Sequence, residues 1–533
     1  MDRASIYLYE REEIMGNTYD IIIVGAGVCG SFTARNLARF DMKILVLDKA
    51  ADVCCGTTRA NSAIVHSGYS GKPGALKSKL TKMANEDFHN ICQELDVEFE
   101  RIGSLMMAID ERGIEKVYEK YNRGLKNEIQ GLEILDHDQA LAKEPHLNPK
   151  VRIAMYAPTT GIVNPWEFGL AAMENAVDNG VELKLNTRVL DIKPCVYDSE
   201  QKDGTKQQGY NVITNQGEFQ TRYVINCAGV YSDEINNLVG RPFFRVAPRK
   251  GEYILLDREK EDDRMVHHVI FQARDNEDAK GVIILPTVHG NTLVGPTAED
   301  IFDKEDTSVS MKGMEHIRRV SAKSIVGLPF EKQIRTFAGI RPRPQVLDGI
   351  DEATGESLYA EDDVKDFIIR EVENAPGFIN CAGIKSPGLT CANEIGKYIA
   401  NIVAEKEGDG LKIREDYNPI RRKLYRFHKQ SKEVQEAMLK ENPKLGNMVC
   451  RCSNITEAEV IDAIHRNCGA TTVDGVKRRV GTGMGRCQGG FCMPYITEIL
   501  HRELGIAYDQ IEKDKKDSYI ITGTKESPEG GLV

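Results

Sequence analysis

Long apolar runs are missing from this sequence. None approaches the ~18 residues that a membrane-spanning helix needs, so no such helix is expected and any membrane association would run through a partner. Tryptophan occurs once in 533 residues and cysteine 13 times. That cysteine count is odd and too thin for a disulfide framework, which points to thiols in a reducing compartment and makes a cytoplasmic location the expectation. The opening stretch, residues 1–18, mixes acids and bases without an apolar core or a small-residue cleavage site. It reads as an N-terminal extension rather than a secretory signal. Basic charge is not in excess either: 70 Lys and Arg against 81 Asp and Glu leave −11, which argues against nucleic acid or an anionic membrane as the main partner. A local cationic pocket for a small anion is compatible with that balance.

What is present is the composition of a globular enzyme, 41% hydrophobic with 47 glycines, in a chain long enough for two large units and a smaller third. Residues 19–47 read as strand, glycine turn, helix and strand: YDIIIV, GAGVCG, SFTARNLARF and MKILVL. From about 77 to 147 a charged helical pattern dominates, broken by the apolar segment 102–109. A helix is expected near Pro165 to Asn179, followed by the strand VELKLNTRVLDI, a polar hairpin YDSEQKDGTKQQGY and the apolar run YVINCAG. Strand signals fill about 245–350 around one helix near Ser310 to Ser324, and predict an antiparallel sheet domain. The fold class is therefore α/β. Rossmann-like dinucleotide-binding parts are expected at about 19–90, 151–244 and 351–405, with substrate-domain parts at about 91–150 and 245–350. Residues 406–444 read as a connector with a short helix near Ser431 to Lys440, 445–505 as a small helical domain, and 506–533 as a loose polar tail.

Gly25, Gly27 and Gly30 form GxGxxG directly after an apolar strand and at the start of a helix. The first glycine allows a tight turn, the second lets backbone approach a pyrophosphate, and the third lets helix pack on strand. Free N–H groups and the macrodipole at the helix N-terminus favour the anion. Asp48, followed by Lys49, ends the second strand where a carboxylate would accept a ribose hydroxyl. FAD and NAD share this fingerprint, so the motif alone leaves the dinucleotide open.

The segments GTTRANSAIVHSGY, YVINCAGVYSDEI, GIRPRPQ and INCAGIKSPGLTCANEIG, in this order, resemble the D-amino-acid oxidase superfamily of flavoenzymes across about residues 19–405. Within it they are most similar to the glycerol-3-phosphate dehydrogenase and L-2-hydroxyglutarate dehydrogenase branch. The resemblance implies FAD, with Thr57, Thr58, Arg59, Asn61 and Ser62 along its phosphates and flavin ring. It also implies Val189 beside the adenine, Ala228 and Gly229 along the dinucleotide, and Gly388, Leu389 and Thr390 bringing a helix N-terminus to the flavin. Oxidising a secondary alcohol needs a proton acceptor and, for an anionic substrate, a cation. His66 is the first candidate acceptor by family position and His289, in PTVHGNTLVGPT, the second. Arg341 matches the Gly-x-Arg-Pro segment over the flavin face, and its planar guanidinium can grip phosphate or carboxylate through two hydrogen bonds. Arg343 is its neighbour, Tyr253 resembles a pocket tyrosine, and Lys385 keeps a lysine of the glycerophosphate pattern. The turn after Lys385 and the stretch around His66 sit closer to the hydroxyglutarate branch, which leaves the substrate divided between the two.

Cys450 and Cys452 form Cys-x-Cys, and Cys487 and Cys492 form Cys-x4-Cys. Four thiolates complete the ligand set of a [2Fe-2S] cluster; structural zinc also takes four cysteines, but with longer knuckles than Cys-x-Cys. The segment VCRCSNITEAEVIDAIHR with GMGRCQGGFC resembles the BFD-like [2Fe-2S] domain, and Thr456 with Glu459 reads as a capping box. A flavin dehydrogenase fused to this domain resembles the large-subunit family of anaerobic glycerol-3-phosphate dehydrogenases. That likeness implies a dehydrogenase rather than an oxidase, a small anionic alcohol as substrate, and a second flavoprotein or electron-transfer subunit as partner. The alternatives are an L-2-hydroxy acid or amino-acid dehydrogenase of the same architecture and, from another class, a non-catalytic iron–sulfur redox protein.

Overall fold

The computed structural model describes residues 17–200, 206–240, 242–258, 264–273, 281–350, 357–360 and 366–523. Most of the N-terminal extension, the tip of the polar hairpin at 201–205 and the end of the tail lie outside the described residues. The strand Thr18–Val24 pairs in parallel with Ile44–Leu47 on one side and Gly217–Asn226 on the other. Ile21, Ile22 and Ile23 are fully buried, as expected of a central parallel strand covered on both faces. Gly217–Asn226 also pairs in parallel with Ala375–Ala382, so the last of the three predicted dinucleotide-binding parts returns to the same sheet.

The helix Val28–Leu37 is buried between the helices Pro165–Asp178 and Gly388–Glu407. Close approach is needed at that crossing: a Cβ on Gly396 would stand 2.5 Å from the Phe32 carbonyl oxygen. Phe32 and Phe168 fill the other contact with ring centroids 4.5 Å apart. The predicted helices near 165–179, 310–324 and 431–440 are found at Pro165–Asp178, Met311–Ser321 and Lys432–Glu441, the last two capped by the hydroxyls of Ser310 and Ser431.

A ten-stranded second sheet contains Phe244–Leu256 and Gln333–Ile350 as its long antiparallel pair. It differs from the predicted antiparallel domain in two respects. Val269–Gln272 pairs in parallel with Ser104–Ala108, and Ile153–Ala157, placed by sequence in the dinucleotide-binding part, joins this sheet beside Ser104–Ala108. The helical insertion at 76–143 carries two of the sheet's strands, so it joins the second sheet in space.

The small C-terminal module packs the helices Glu457–His465, Val473–Val480 and Met493–Leu504 around Val460, Val476, Ile496 and Leu500. Thr456 and Glu459 make the reciprocal bonds of a capping box. The module is fixed to the flavin-type domain by buried charge. Asp52 accepts from Arg478 at 2.9 Å and from Arg479 at 2.8 Å, and Glu174 accepts from Arg421 of the connector at 2.6 Å and from Arg466 at 3.0 Å. The segment beyond 505 is not the loose tail expected from its polarity. Ile511 is fully buried in the module core, and residues up to 523 are described against the rest of the molecule.

Candidate active site

A cavity of about 1070 Å³ runs along the C-terminal edge of the first sheet. Its floor is the glycine turn. Gly25 has φ +108°, and a Cβ there would stand 2.5 Å from the Cys227 carbonyl oxygen; a Cβ on Gly30 would meet the Gly25 oxygen at 1.9 Å. At Gly27 a Cβ would meet nothing nearer than Thr58 Oγ1 at 3.5 Å, which leaves the helix N-terminus open to an anion. Thr58 supports that terminus by accepting from the Val28 N–H at 3.1 Å. Asp48 accepts from the Ala26 and Ala50 N–H groups at 2.7 and 2.8 Å, and its burial raises its pKa. Each carboxylate oxygen keeps a further lone pair able to accept, and Asp48 lines the cavity.

Gly25, Gly27, Asp48, Lys49, Thr57, Thr58, Arg59, Asn61, Ser62, Val189, Ala228, Gly229, Gly388 and Leu389 all line this cavity. Two candidates sit behind its wall. Gly30 lies at the helix–strand contact, and Thr390 is buried, its hydroxyl oxygen accepting the His66 N–H at 3.0 Å. Asn61 braces its own loop: its amide donates to the Thr58 carbonyl at 2.8 Å, while its oxygen accepts from the Ala63 N–H at 2.8 Å.

His66, Tyr253, Arg341 and Lys385 line the same cavity. His66 Nε2 lies 3.1 Å from the Ser386 hydroxyl, and the His66 carbonyl accepts from Asn85 at 3.2 Å, so both backbone and ring are held. Tyr253 is buried, stacks on Phe337 at 4.9 Å and shares a hydrogen bond with Ser62 at 3.1 Å. Burial raises its pKa and keeps the phenol protonated. His289 does not share this chamber. It lines a second cavity of about 1200 Å³, with Nε2 3.4 Å from Asn164, and desolvation by the cavity walls lowers its pKa. Arg343 is likewise occupied elsewhere, paired with Asp300 at 2.5 Å beside Arg249. Sequence reasoning missed Gln272, whose buried Oε1 has no hydrogen-bond partner among the described residues, and Phe271 and Ser386 beside His66. Gln272 comes from a strand that reaches the cavity only through the second sheet, so no local motif marks it.

The four cysteines fall into two pairs. Cys452 and Cys487 have sulfurs 3.7 Å apart near the surface, and Cys450 and Cys492, both free thiols, share a hydrogen bond in the interior. Bonds from the Cys492 thiol and from the Ser453 and Gly483 N–H groups pull the Cys450 pKa down to about 5 against burial. N–H groups of Phe491 and Gly489 likewise lower that of Cys487. Among the described residues no three His, Cys, Asp or Glu side chains converge on a single ion. Two pairs with thiolate-stabilising amides fit two irons, one per pair, better than one tetrahedral zinc. The second cavity lies between this module and the first cavity: it reaches Cys452 at one end and shares Arg59, Asn61 and Ala338 with the first at the other.

This geometry belongs to a flavin-dependent redox enzyme with an iron–sulfur module, and the chain is a member of the FAD dependent oxidoreductase family, whose model matches residues 20–402. A BFD-like [2Fe-2S] binding domain matches residues 448–502. Its cofactors are FAD and a [2Fe-2S] cluster. Among individual proteins, the chain is 43% identical over 512 residues to the glycerol 3-phosphate dehydrogenase of Caloramator mitchellensis, covering 96% of this chain and 99% of that one. The L-2-hydroxyglutarate dehydrogenase of Bos taurus is 31% identical over 294 residues, 54% of this chain and 63% of the relative. Among solved structures, the FAD-bound, dithionite-reduced L-alpha-glycerophosphate oxidase of Mycoplasma pneumoniae superposes with a TM-score of 0.64 at 28% identity, covering 76% of this chain and 98% of that one. Among the described residues no helix is long and apolar enough to cross a membrane.

Proposed function

We propose that the chain oxidises glycerol 3-phosphate to dihydroxyacetone phosphate and delivers the electrons to a partner, a second flavoprotein or electron-transfer subunit. The near-full-length likeness to a glycerol 3-phosphate dehydrogenase carries this reading, because it spans the cysteine module as well as the flavin domain. When bound, FAD takes up a hydride and the [2Fe-2S] cluster passes electrons one at a time. The chain's own residues do the rest. Gly25, Gly27 and Asp48, with the loop 57–62, hold the dinucleotide; Val189, Ala228 and Gly229 line its far end, and Gly388 and Leu389 its flavin end. His66 accepts the substrate hydroxyl proton at Nε2, the substrate oxygen taking the place there of the Ser386 hydroxyl that otherwise holds the ring. Arg341 and Lys385 hold the phosphate, and the buried Tyr253 and Ser62 hydroxyls orient the alcohol. In this reading the protein works in the cytoplasm and meets a membrane only through its partner.

The stretch 56–69, closer to the hydroxyglutarate branch, and the 31% identity to L-2-hydroxyglutarate dehydrogenases favour a second reading, oxidation of a 2-hydroxy acid. The two separate in one experiment: anaerobic addition of each substrate to the oxidised holoenzyme, followed at the flavin absorbance. Bleaching by glycerol 3-phosphate is expected; bleaching by L-2-hydroxyglutarate alone would replace the first reading with the second.

A further inference from the structure

The segment after the iron–sulfur module turns back to the flavin cavity. Ile511 is anchored in the module core, and Ile520 packs against it. Between them the chain makes a small hairpin: Glu512 and Tyr519 form an antiparallel bridge, the Lys513 N–H donates to the Ser518 carbonyl at 2.8 Å, and the Asp514 N–H to the Ser518 hydroxyl at 3.0 Å. Its outer edge is tied to the helix Val473–Val480 by the Val473 and Asp474 N–H groups, which donate to the Glu512 and Lys513 carbonyls at 3.2 and 2.7 Å. The tip, Asp514, Lys515 and Lys516, lines the same cavity as the glycine turn.

The tip's charges are arranged unequally. Asp514 is neutralised from both sides, by Arg59 at 2.5 Å and Arg478 at 2.7 Å, and these cations hold its pKa down despite burial. Lys515 approaches one carboxylate, Glu305, at 3.9 Å, and Glu305 is already shared with Lys49 at 2.8 Å and with the Tyr231 hydroxyl. Lys49 follows Asp48, Tyr231 lies two residues after Gly229, and all four members of this bridge line the same cavity. The tip 514–516 therefore brings two ammonium groups to the rim of a site whose cofactor carries a pyrophosphate, with the tip's one carboxylate, Asp514, already paired.

We propose that the hairpin 512–519 is an additional FAD-binding element contributed by the iron–sulfur module, with Lys515 and Lys516 supplying charge to the cofactor and the Asp514 pairs with Arg59 and Arg478 positioning the tip. The flavin site is then completed only when the module is docked. The proposal rests on the FAD assignment and not on the identity of the alcohol.

Lys515 and Lys516 are exposed and outside the packed core, so their replacement leaves the fold intact. In the full-length chain, FAD is removed and re-titrated by the quenching of flavin fluorescence, with the cluster's visible absorbance monitored in the same sample. Lys515→Ala/Lys516→Ala should raise the FAD Kd about five- to tenfold at low ionic strength, and Lys515→Glu/Lys516→Glu should raise it further. The gap should shrink as salt screens the pair. An affinity within twofold of the parent chain in both variants, or a loss that is equal for alanine and glutamate and indifferent to salt, would overturn the proposal. A parent chain that takes up no FAD would instead overturn the flavin assignment itself.

Discussion

His66 is fixed at three points: its N–H on Thr390, its carbonyl on Asn85 and its ring on Ser386. Replacing it with Gln preserves bulk and hydrogen bonding but removes the imidazole base. His66→Gln should slow substrate reduction of the flavin by roughly 10²–10⁴-fold at pH 7, with FAD still bound, in anaerobic stopped-flow measurements. An unchanged rate would assign the proton to another group. Arg341→Lys tests the other half of the site. It keeps the charge and loses the planar fork, so the substrate KM should rise roughly tenfold or more while the FAD spectrum stays the same. A fall in kcat at constant KM would place Arg341 on the reacting centre instead. The glycine fingerprint and Asp48 were legible because their chemistry is local, a turn and the strand end that follows it. Gln272 was not, because its position is set by the pairing of Val269–Gln272 with Ser104–Ala108, more than a hundred residues apart in sequence.

At the scale of elements, the junction between the flavin domain and the iron–sulfur module is ionic and buried. Asp52 is 3% exposed, and although burial alone would raise its pKa, Arg479 and Arg478 bring it below the ordinary carboxylate range. Glu174, also buried, is lowered by Arg421 and Arg466 in the same way. Because the folded pKa values are depressed, these carboxylates stabilise docking fully above the unfolded carboxylate range, near pH 4, and lose that contribution as pH falls through the folded values. The module should therefore release or unfold ahead of the flavin domain on acidification below about pH 4. Circular dichroism and cluster absorbance followed together would show the two transitions; a single coincident one would count against an independent electrostatic junction. Asp52→Asn leaves two buried guanidiniums with one weaker acceptor and should cost about 3–5 kcal/mol in the unfolding of the module at pH 7. A cost below ~1 kcal/mol would mean that water already compensates the pair. None of this was visible in the sequence. Residues 406–444 read as a charged connector and 506–533 as loose because polarity reports solvent exposure on average, and an ion-paired interface is the case in which that average fails.

For the whole molecule, what matters is that the two redox sites are joined by a shared wall rather than a flexible tether. The second cavity shares Arg59 and Asn61 with the first and is also lined by Cys452. Order along the chain and the two sets of motifs allowed flavin and cluster to be read from sequence, but not this adjacency, which comes from the folding back of residues 406–523. If the cluster is the exit for electrons, removing it must separate the two half-reactions. Cys487 is the exposed member of the outer pair, so Cys487→Ser removes one of the four proposed ligands with little effect on packing. Flavin reduction by substrate in a single anaerobic turnover should stay within about twofold of the parent rate, since His66, Arg341 and the dinucleotide loop are untouched. Steady-state turnover with a one-electron acceptor should fall at least tenfold, and reduced flavin should accumulate during turnover. Unchanged turnover with the cluster gone would mean that electrons leave from the flavin directly, and the module would then be a structural cap on the cofactor.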